Sequence, residues 1–248
     1  MPSHHWLLVQ VTRGYTKKFM KVILFDIDGT LINAADADKR AFITAFKENF
    51  GVEPVMQGIN TYGYTDTEIT RNVALATFNR DLKSNEQKSL NNRFIELLHL
   101  VIEDEPDYQV LPGVENLLHS LTKRSDVLIG LQTGNLQGAI EPKLGRGNLL
   151  QYFSFGGFGT DSDERSQIVT TAIQRAQSFL RDTKLTPNRV TIVGDAPQDV
   201  RAGKTVGTQT IAVATGIYSK ETLALECPSY IFPDLSDKNA FFSAVGLS

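Results

Sequence analysis

Only one cysteine, Cys227, stands among the 248 residues, which excludes an internal disulfide and a zinc site built from thiolates. A single thiol fits a reducing compartment. With no histidine near it in sequence, Cys227 is expected to be a small buried or partly buried hydrophobe, not a nucleophile. Long apolar runs are missing too, since nothing approaches the roughly 20 residues that a membrane helix needs. Charge of one sign is scarce: 25 basic against 28 acidic side chains leave a formal net charge of −3, which gives no electrostatic footprint for nucleic acid or an anionic membrane. There is also no internal repeat or low-complexity tract, so a solenoid is excluded. A soluble, cytoplasmic protein is the expectation.

What is there has ordinary globular composition, with 41% apolar residues. At this length the chain can form one large α/β domain, or a core domain with a smaller companion. Residues 1–19 carry Arg13, Lys17 and Lys18 and no acid. Their apolar piece, Trp6 to Val11, is too short for a secretory core and lacks a clear cleavage site. The adjacent His4 and His5 are weak evidence for a metal. We expect this segment to be a dispensable extension, with the domain opening at Met20.

The stretch Lys21 to Leu31, KVILFDIDGTL, carries the strongest signal. Val22 to Phe25 is an unbroken apolar run with β-branched residues, the pattern of a parallel strand buried on both faces. Asp26 and Asp28 follow two residues apart, so in an extended chain both carboxylates point the same way, and Gly29 permits a sharp turn or close approach to a ligand. Downstream, Ala41, Phe42, Ala45 and Phe46 fall at helical spacing and Gly51 ends that helix. Thr65 or Asp66 can cap a second helix through Ile69, Val73 and Ala76. A third fits Glu86 to Glu103, so Asp36 to about Glu105 reads as all helical.

The pattern then alternates. Pro112-Gly113 opens a helix, Val127 to Leu131 is a buried strand running into Gln132-Thr133-Gly134-Asn135, and a helix from about Gln137 to Leu144 precedes a short strand at Tyr152 to Phe155. Asp163 or Ser162 can cap a long helix from Arg165 to about Arg181. Arg189 to Val193 is a strand ending in Gly194-Asp195-Ala196-Pro197-Gln198-Asp199. Strands near Thr210 to Ala214 and Tyr230 to Ile231, with intervening helices, complete an α/β chain. Alternation of this kind implies a parallel sheet with right-handed crossovers.

Asp26/Asp28, Thr133 and Asp195/Asp199 therefore end three separate predicted strands. Each alone reads as turn or cap chemistry. Together, at strand carboxyl ends, they mark the place where an open α/β sheet binds its ligand.

Taken in order, DIDGTL, Thr133 in LQTGN, a basic residue and GDAPQD resemble the four motifs of the haloacid dehalogenase superfamily, whose members are mostly phosphatases. The resemblance covers nearly all of the chain from Met20. It implies a Rossmann-like parallel sheet flanked by helices, with residues 20–34 and 108–248 as the α/β core and 35–107 as an inserted helical cap domain. It also implies a Mg2+-dependent phosphatase acting on a small phosphorylated metabolite, such as phosphoglycolate or a sugar phosphate. Asp26 would be the nucleophile, forming an aspartyl-phosphate with its other oxygen on the metal. Asp28 would be general acid and base, coordinating the metal through its backbone carbonyl. Asp195 would be the principal metal carboxylate and Asp199 a direct or indirect partner. Gly29, Thr133 and the N–H groups of Gly134 and Asn135 would bind the phosphoryl oxygens. Family members usually carry lysine at the start of the helix before the fourth motif. Here Arg165 stands there, with Lys143 as the alternative basic residue.

Substrate choice is expected in the cap, where Tyr62, Gly63, Tyr64, Thr65 and Asp66 form a loop that otherwise simply turns the chain and caps the next helix. Lys39 and Arg40 could meet a second anionic group. Other readings compete with this one. A phosphomutase of the same fold has every core residue, and a receiver-like phosphoacceptor or an inactive phosphate-binding protein would show no turnover. A dehalogenase would lack the second aspartate.

Overall fold

A computed structural model describes residues 20–181 and 185–247 of the chain, so the segment 1–19 lies outside the described residues. Strand β1 (Lys21–Phe25) lies inside a six-stranded sheet together with β4 (Val127–Gln132), β5 (Gly156–Gly157), β6 (Val190–Gly194), β7 (Gln209–Val213) and β8 (Tyr230–Phe232), in the order β5-β4-β1-β6-β7-β8. Every pairing in it is parallel. Residues Val22 to Phe25 are fully buried because helices cover both faces. Alternation along β1 divides the core: Val22 and Leu24 join Val169, Ala172 and Ile173 of α6 (Arg165–Leu180) on one side. Ile23 and Phe25 join Leu117, Leu118 and Leu121 of α4 (Val114–Thr122) on the other.

After β1 the chain enters a helical insertion of α1 (Ala37–Phe50), α2 (Asp66–Phe78) and α3 (Ser84–Glu103). Helix α1 stops at Gly51, whose φ of 70° takes the left-handed conformation that closes a helix. Aromatic packing holds the insertion together. Phe46 is fully buried and stacks on Phe78 at 5.5 Å, and Phe42 meets Phe94 edge-on at 6.4 Å. Burying a side chain of this size is worth about 1.5–3 kcal/mol. The two passages between sheet and insertion pair with each other as β2 (Ile32–Asn33) and β3 (Gln109–Val110), antiparallel, with Ile32 opposite Val110. Two residues cannot show a period of two, which is why this ribbon has no signature in the sequence.

Other boundaries shift for local reasons. The strand expected at Tyr152 to Phe155 forms at Gly156–Gly157, after a 3-10 turn over Leu150–Tyr152. The helix expected from Gln137 begins as a 3-10 turn and becomes α5 (Ile140–Arg146). Helix α7 (Pro197–Val206), which the sequence pattern places from Asp199 to Val206, starts two residues earlier, using proline at its first position. The short α8 (Lys220–Leu225) and α9 (Lys238–Ala244) complete the chain. Cys227 is exposed, contrary to expectation, lying with a φ of 50° in the turn that leaves α8, outside the packed elements. No described helix is long and apolar enough to cross a membrane.

Candidate active site

Strands β4, β1 and β6 are neighbours, so Thr133, Asp26 and Asp195 leave the sheet side by side. Asp26 continues the β1 ladder, its N–H donating to Val193 O at 2.9 Å. The chain then folds back tightly, with the N–H groups of Thr30, Leu31 and Ile32 all directed at Ile27 O. Gly29 makes this possible with a φ of 79°, and a Cβ there would overlap the Asp195 carboxylate. Thr30 Oγ1 donates to Asp195 Oδ1 at 3.0 Å, and Thr215 Oγ1 holds Gly29 O at 2.5 Å.

Two clusters result. In the first, oxygens of Asp26, Asp195 and Asp199 all lie within 4.8 Å of one another, and all three residues are buried. Asp199 is fixed from several directions: its Oδ2 accepts from Ala196 N at 3.1 Å at the start of α7, while Oδ1 accepts from Gln132 Nε2 at 3.0 Å and from Arg165 Nη2. The same guanidinium approaches Asp26 Oδ2 at 3.5 Å. Burial pushes Asp26 up to about 7, with Asp199 and Asp28 adding to the rise and Arg165 opposing it. Asp195 is raised well above the usual carboxylate range, by burial first and then by Asp26 and Asp199. Three buried acids around one guanidinium are short of positive charge. Such a set of hard oxygen donors suits a divalent cation of the magnesium type.

In the second cluster, Asp28 turns away from the first. Its Oδ2 accepts from Asn135 Nδ2 and from Lys143 Nζ, both at 2.7 Å. Asn135 Nδ2 also donates to Thr133 Oγ1 at 2.8 Å, and Lys143 Nζ donates to Asn135 Oδ1 at 2.5 Å and pairs with Asp38 at 2.8 Å. The Asn135 N–H points back at Thr133 Oγ1 at 3.3 Å. Arg165 and Lys143, alternatives in the sequence, thus occupy different places: Arg165 lies with Asp26 and Asp199, Lys143 with Asp28.

The insertion lies directly over this centre. Asp66 N donates to Gly134 O at 2.9 Å, and Asp66 Oδ2 accepts from Leu136 N at 2.7 Å. Burial raises Asp66 to about 7, against the pull of Lys143. Of the two cap candidates, Thr65 forms a capping box with Glu68, so the loop both caps α2 and covers Gly134. Gln198 Nε2 reaches Tyr62 O at 3.4 Å from the core side. Before α6, Asp163 pairs with Arg71 of α2 at 2.6 Å instead of capping, and the N-cap position belongs to Glu164. Lys39 is exposed and Arg40 pairs with Glu105 at 2.6 Å, so neither enters the site. Their neighbour Asp38 does. Sequence reasoning passed over Asp38, a lone acid in a helix, and over Thr30 and Gln132, which lie inside the quoted motifs but whose bonds to Asp195 and Asp199 cross between strands far apart in sequence.

A parallel sheet that gathers acids from neighbouring strand ends, beneath a helical insertion after the first strand, defines an α/β enzyme with a metal-competent acidic centre. The family model described as haloacid dehalogenase-like hydrolase matches residues 23–213, and the chain belongs to that family. It is 27% identical over 221 residues to a phosphoglycolate phosphatase of Synechococcus elongatus, covering 88% of this chain and 95% of that protein. It is 25% identical over 217 residues to the N-acetylmuramic acid 6-phosphate phosphatase of Pseudomonas aeruginosa, covering 82% and 85%. Among solved structures, a hydrolase from Pseudomonas syringae superposes with a TM-score of 0.68 at 15% identity, covering 92% of this chain and 100% of that one. The likeness in fold bears out the expected parallel sheet with flanking helices.

Proposed function

We propose that the protein is a cytoplasmic, Mg2+-dependent phosphatase that hydrolyses a small phosphomonoester through an aspartyl-phosphate on Asp26. The convergence of Asp26, Asp195 and Asp199 within 4.8 Å beside Arg165 carries this reading. Similarity to phosphatases of small phosphorylated metabolites supports the substrate class. A Mg2+ ion held by the three carboxylates, with the Asp28 carbonyl as a further ligand, would supply the positive charge that offsets repulsion between them and a phosphate dianion.

The chain's own groups account for the remaining steps. An Asp26 oxygen attacks phosphorus as the bond to the leaving oxygen breaks, and Asp28 gives its proton to that oxygen. Water then attacks the phosphorus of the aspartyl-phosphate, its proton passes to Asp28, and inorganic phosphate leaves with Asp26 restored. Thr133, Arg165 and the N–H of Gly134 hold the phosphoryl oxygens, on which the transition state spreads negative charge. Asp28 suits the acid and base role because its side chain is held apart from the acidic triad by Asn135 and Lys143. Residues 35–107 act as the cap that excludes water and selects the leaving group, with the loop from Tyr62 to Asp66 over Gly134.

The test is a panel of phosphorylated metabolites, including phosphoglycolate, sugar phosphates and inorganic pyrophosphate, assayed with Mg2+ and with chelator. Sustained phosphate release that needs Mg2+ and vanishes in Asp26→Asn is expected. An active Asp26→Asn variant would remove the nucleophile from the scheme.

A further inference from the structure

Lys143 is the basic residue left without a role once Arg165 lies with Asp26 and Asp199, yet it is among the largest fully buried side chains described, at 1% exposure. An ammonium carries three protons, and those of Lys143 are all used: 2.7 Å to Asp28 Oδ2, 2.8 Å to Asp38 Oδ2 and 2.5 Å to Asn135 Oδ1. It has no donor left for a phosphoryl group. Removing it from water costs several kcal/mol, and pairing of this kind often only breaks even against an apolar replacement. Stability is therefore a poor reason for its presence.

Geometry supplies a better one. Lysine only donates, so the oxygen of the Asn135 amide must face Lys143 and its NH2 must face Asp28 and Thr133. Lys143 thus acts on Asp28 twice, by a direct ion pair and by fixing the amide that makes the second bond to the same oxygen. While the lysine side chain is 2% exposed, that of Asp28 is 38% exposed, and with Oδ2 anchored by Lys143 and Asn135 its buried Oδ1 is the oxygen left without a hydrogen-bond partner. Asp38 stands in the first turn of α1, so the ammonium also spans from the sheet to the insertion. The acids Asp28, Asp38 and Asp66 keep the lysine charged although burial opposes it.

We propose that Lys143, with Asp38 as its counter-charge, is a positioning residue that holds Asp28 where it can protonate the leaving oxygen. The inference rests on the proposed phosphatase reading. Its test compares kcat/KM, which reports the steps up to departure of the leaving group, for two esters: the alkyl phosphate of the panel that the wild type cleaves best, and p-nitrophenyl phosphate, whose phenolate departs without a proton.

Lys143→Met should lose about a hundredfold on the alkyl ester and no more than a few-fold on the aryl ester, within the range of general acid catalysis and with the bias of Asp28→Asn. A crystal structure of Lys143→Met should show Asp28 moved off Asn135. Equal losses on both esters, no loss, a greater loss on the aryl ester, or an unmoved Asp28 each overturn the proposal. Should Lys143→Met fail to fold by circular dichroism, Asp38→Asn decides: a smaller bias of the same sign supports the proposal and an unbiased effect overturns it. A wild type that cleaves neither ester overturns the phosphatase reading and this inference together. An active wild type with an unbiased Lys143→Met overturns only the inference.

Discussion

Metal-free protein should grow less stable as pH rises, and Mg2+ should reverse the loss. Asp26 is 7% exposed, and in the folded chain without a cation its carboxyl is raised from 3.8 to about 7. A carboxyl raised on folding contributes fully below its unfolded value and loses that contribution as pH climbs through the folded one. At 1.36 kcal/mol per unit, a rise of about three units amounts to roughly 4 kcal/mol lost between pH 4 and pH 8. Asp195 is raised as well, by burial first and then by Asp26 and Asp199, so its share is coupled to that of Asp26 and does not simply add. For a chain of this size the loss lowers the melting midpoint by roughly 10 °C. Thermal melts in chelator and in millimolar Mg2+ at pH 5, 6, 7 and 8 should therefore show a metal-induced rise in midpoint that grows with pH. Asp195→Asn removes one of the repelling charges, so in chelator at pH 8 it should melt higher than the wild type and respond little to Mg2+. A Mg2+ effect that is absent, or the same at pH 5 and pH 8, would refute the reasoning.

Further expectations concern single side chains. Gly29→Ala places a Cβ against the Asp195 carboxylate at a φ of 79°, so it should weaken Mg2+ binding by calorimetry and cost more than the roughly 1 kcal/mol of the backbone strain alone. Arg165→Ala leaves Asp26 and Asp199 without their shared cation, so activity should fall by at least about a hundredfold and the metal-free midpoint at pH 8 should drop, whereas a fully active variant would dismiss the guanidinium from the site. Phe46→Ala empties the centre of the aromatic cluster in the insertion and should cost about 3–5 kcal/mol in denaturant melts, with KM affected through the cap.

Much of the fold could be read before any coordinates. The run Val22 to Phe25 gave its strand because a segment buried on both faces must be apolar throughout, and Asp26, Thr133 and Asp195 were legible as a group because each ends such a run. The β2–β3 ribbon was not, since two residues carry no period, and the exposed Cys227 was misjudged because composition averages say nothing about one turn.

What the sequence determined by itself was the kind of chemistry: local patterns place carboxylates at strand ends wherever the chain folds as an alternating α/β sheet. Only the tertiary structure decided which charges meet. Arg165 and Lys143 are both basic helix residues that motif position could only rank as first choice and alternative for one role, yet one lies against Asp26 and Asp199 and the other against Asp28, Asp38 and Asn135. Those contacts join residues up to 139 positions apart, counted from Asp26 to Arg165. They depend on strand order and on how the insertion docks, both fixed by burial of the shared core and not by any neighbour in sequence.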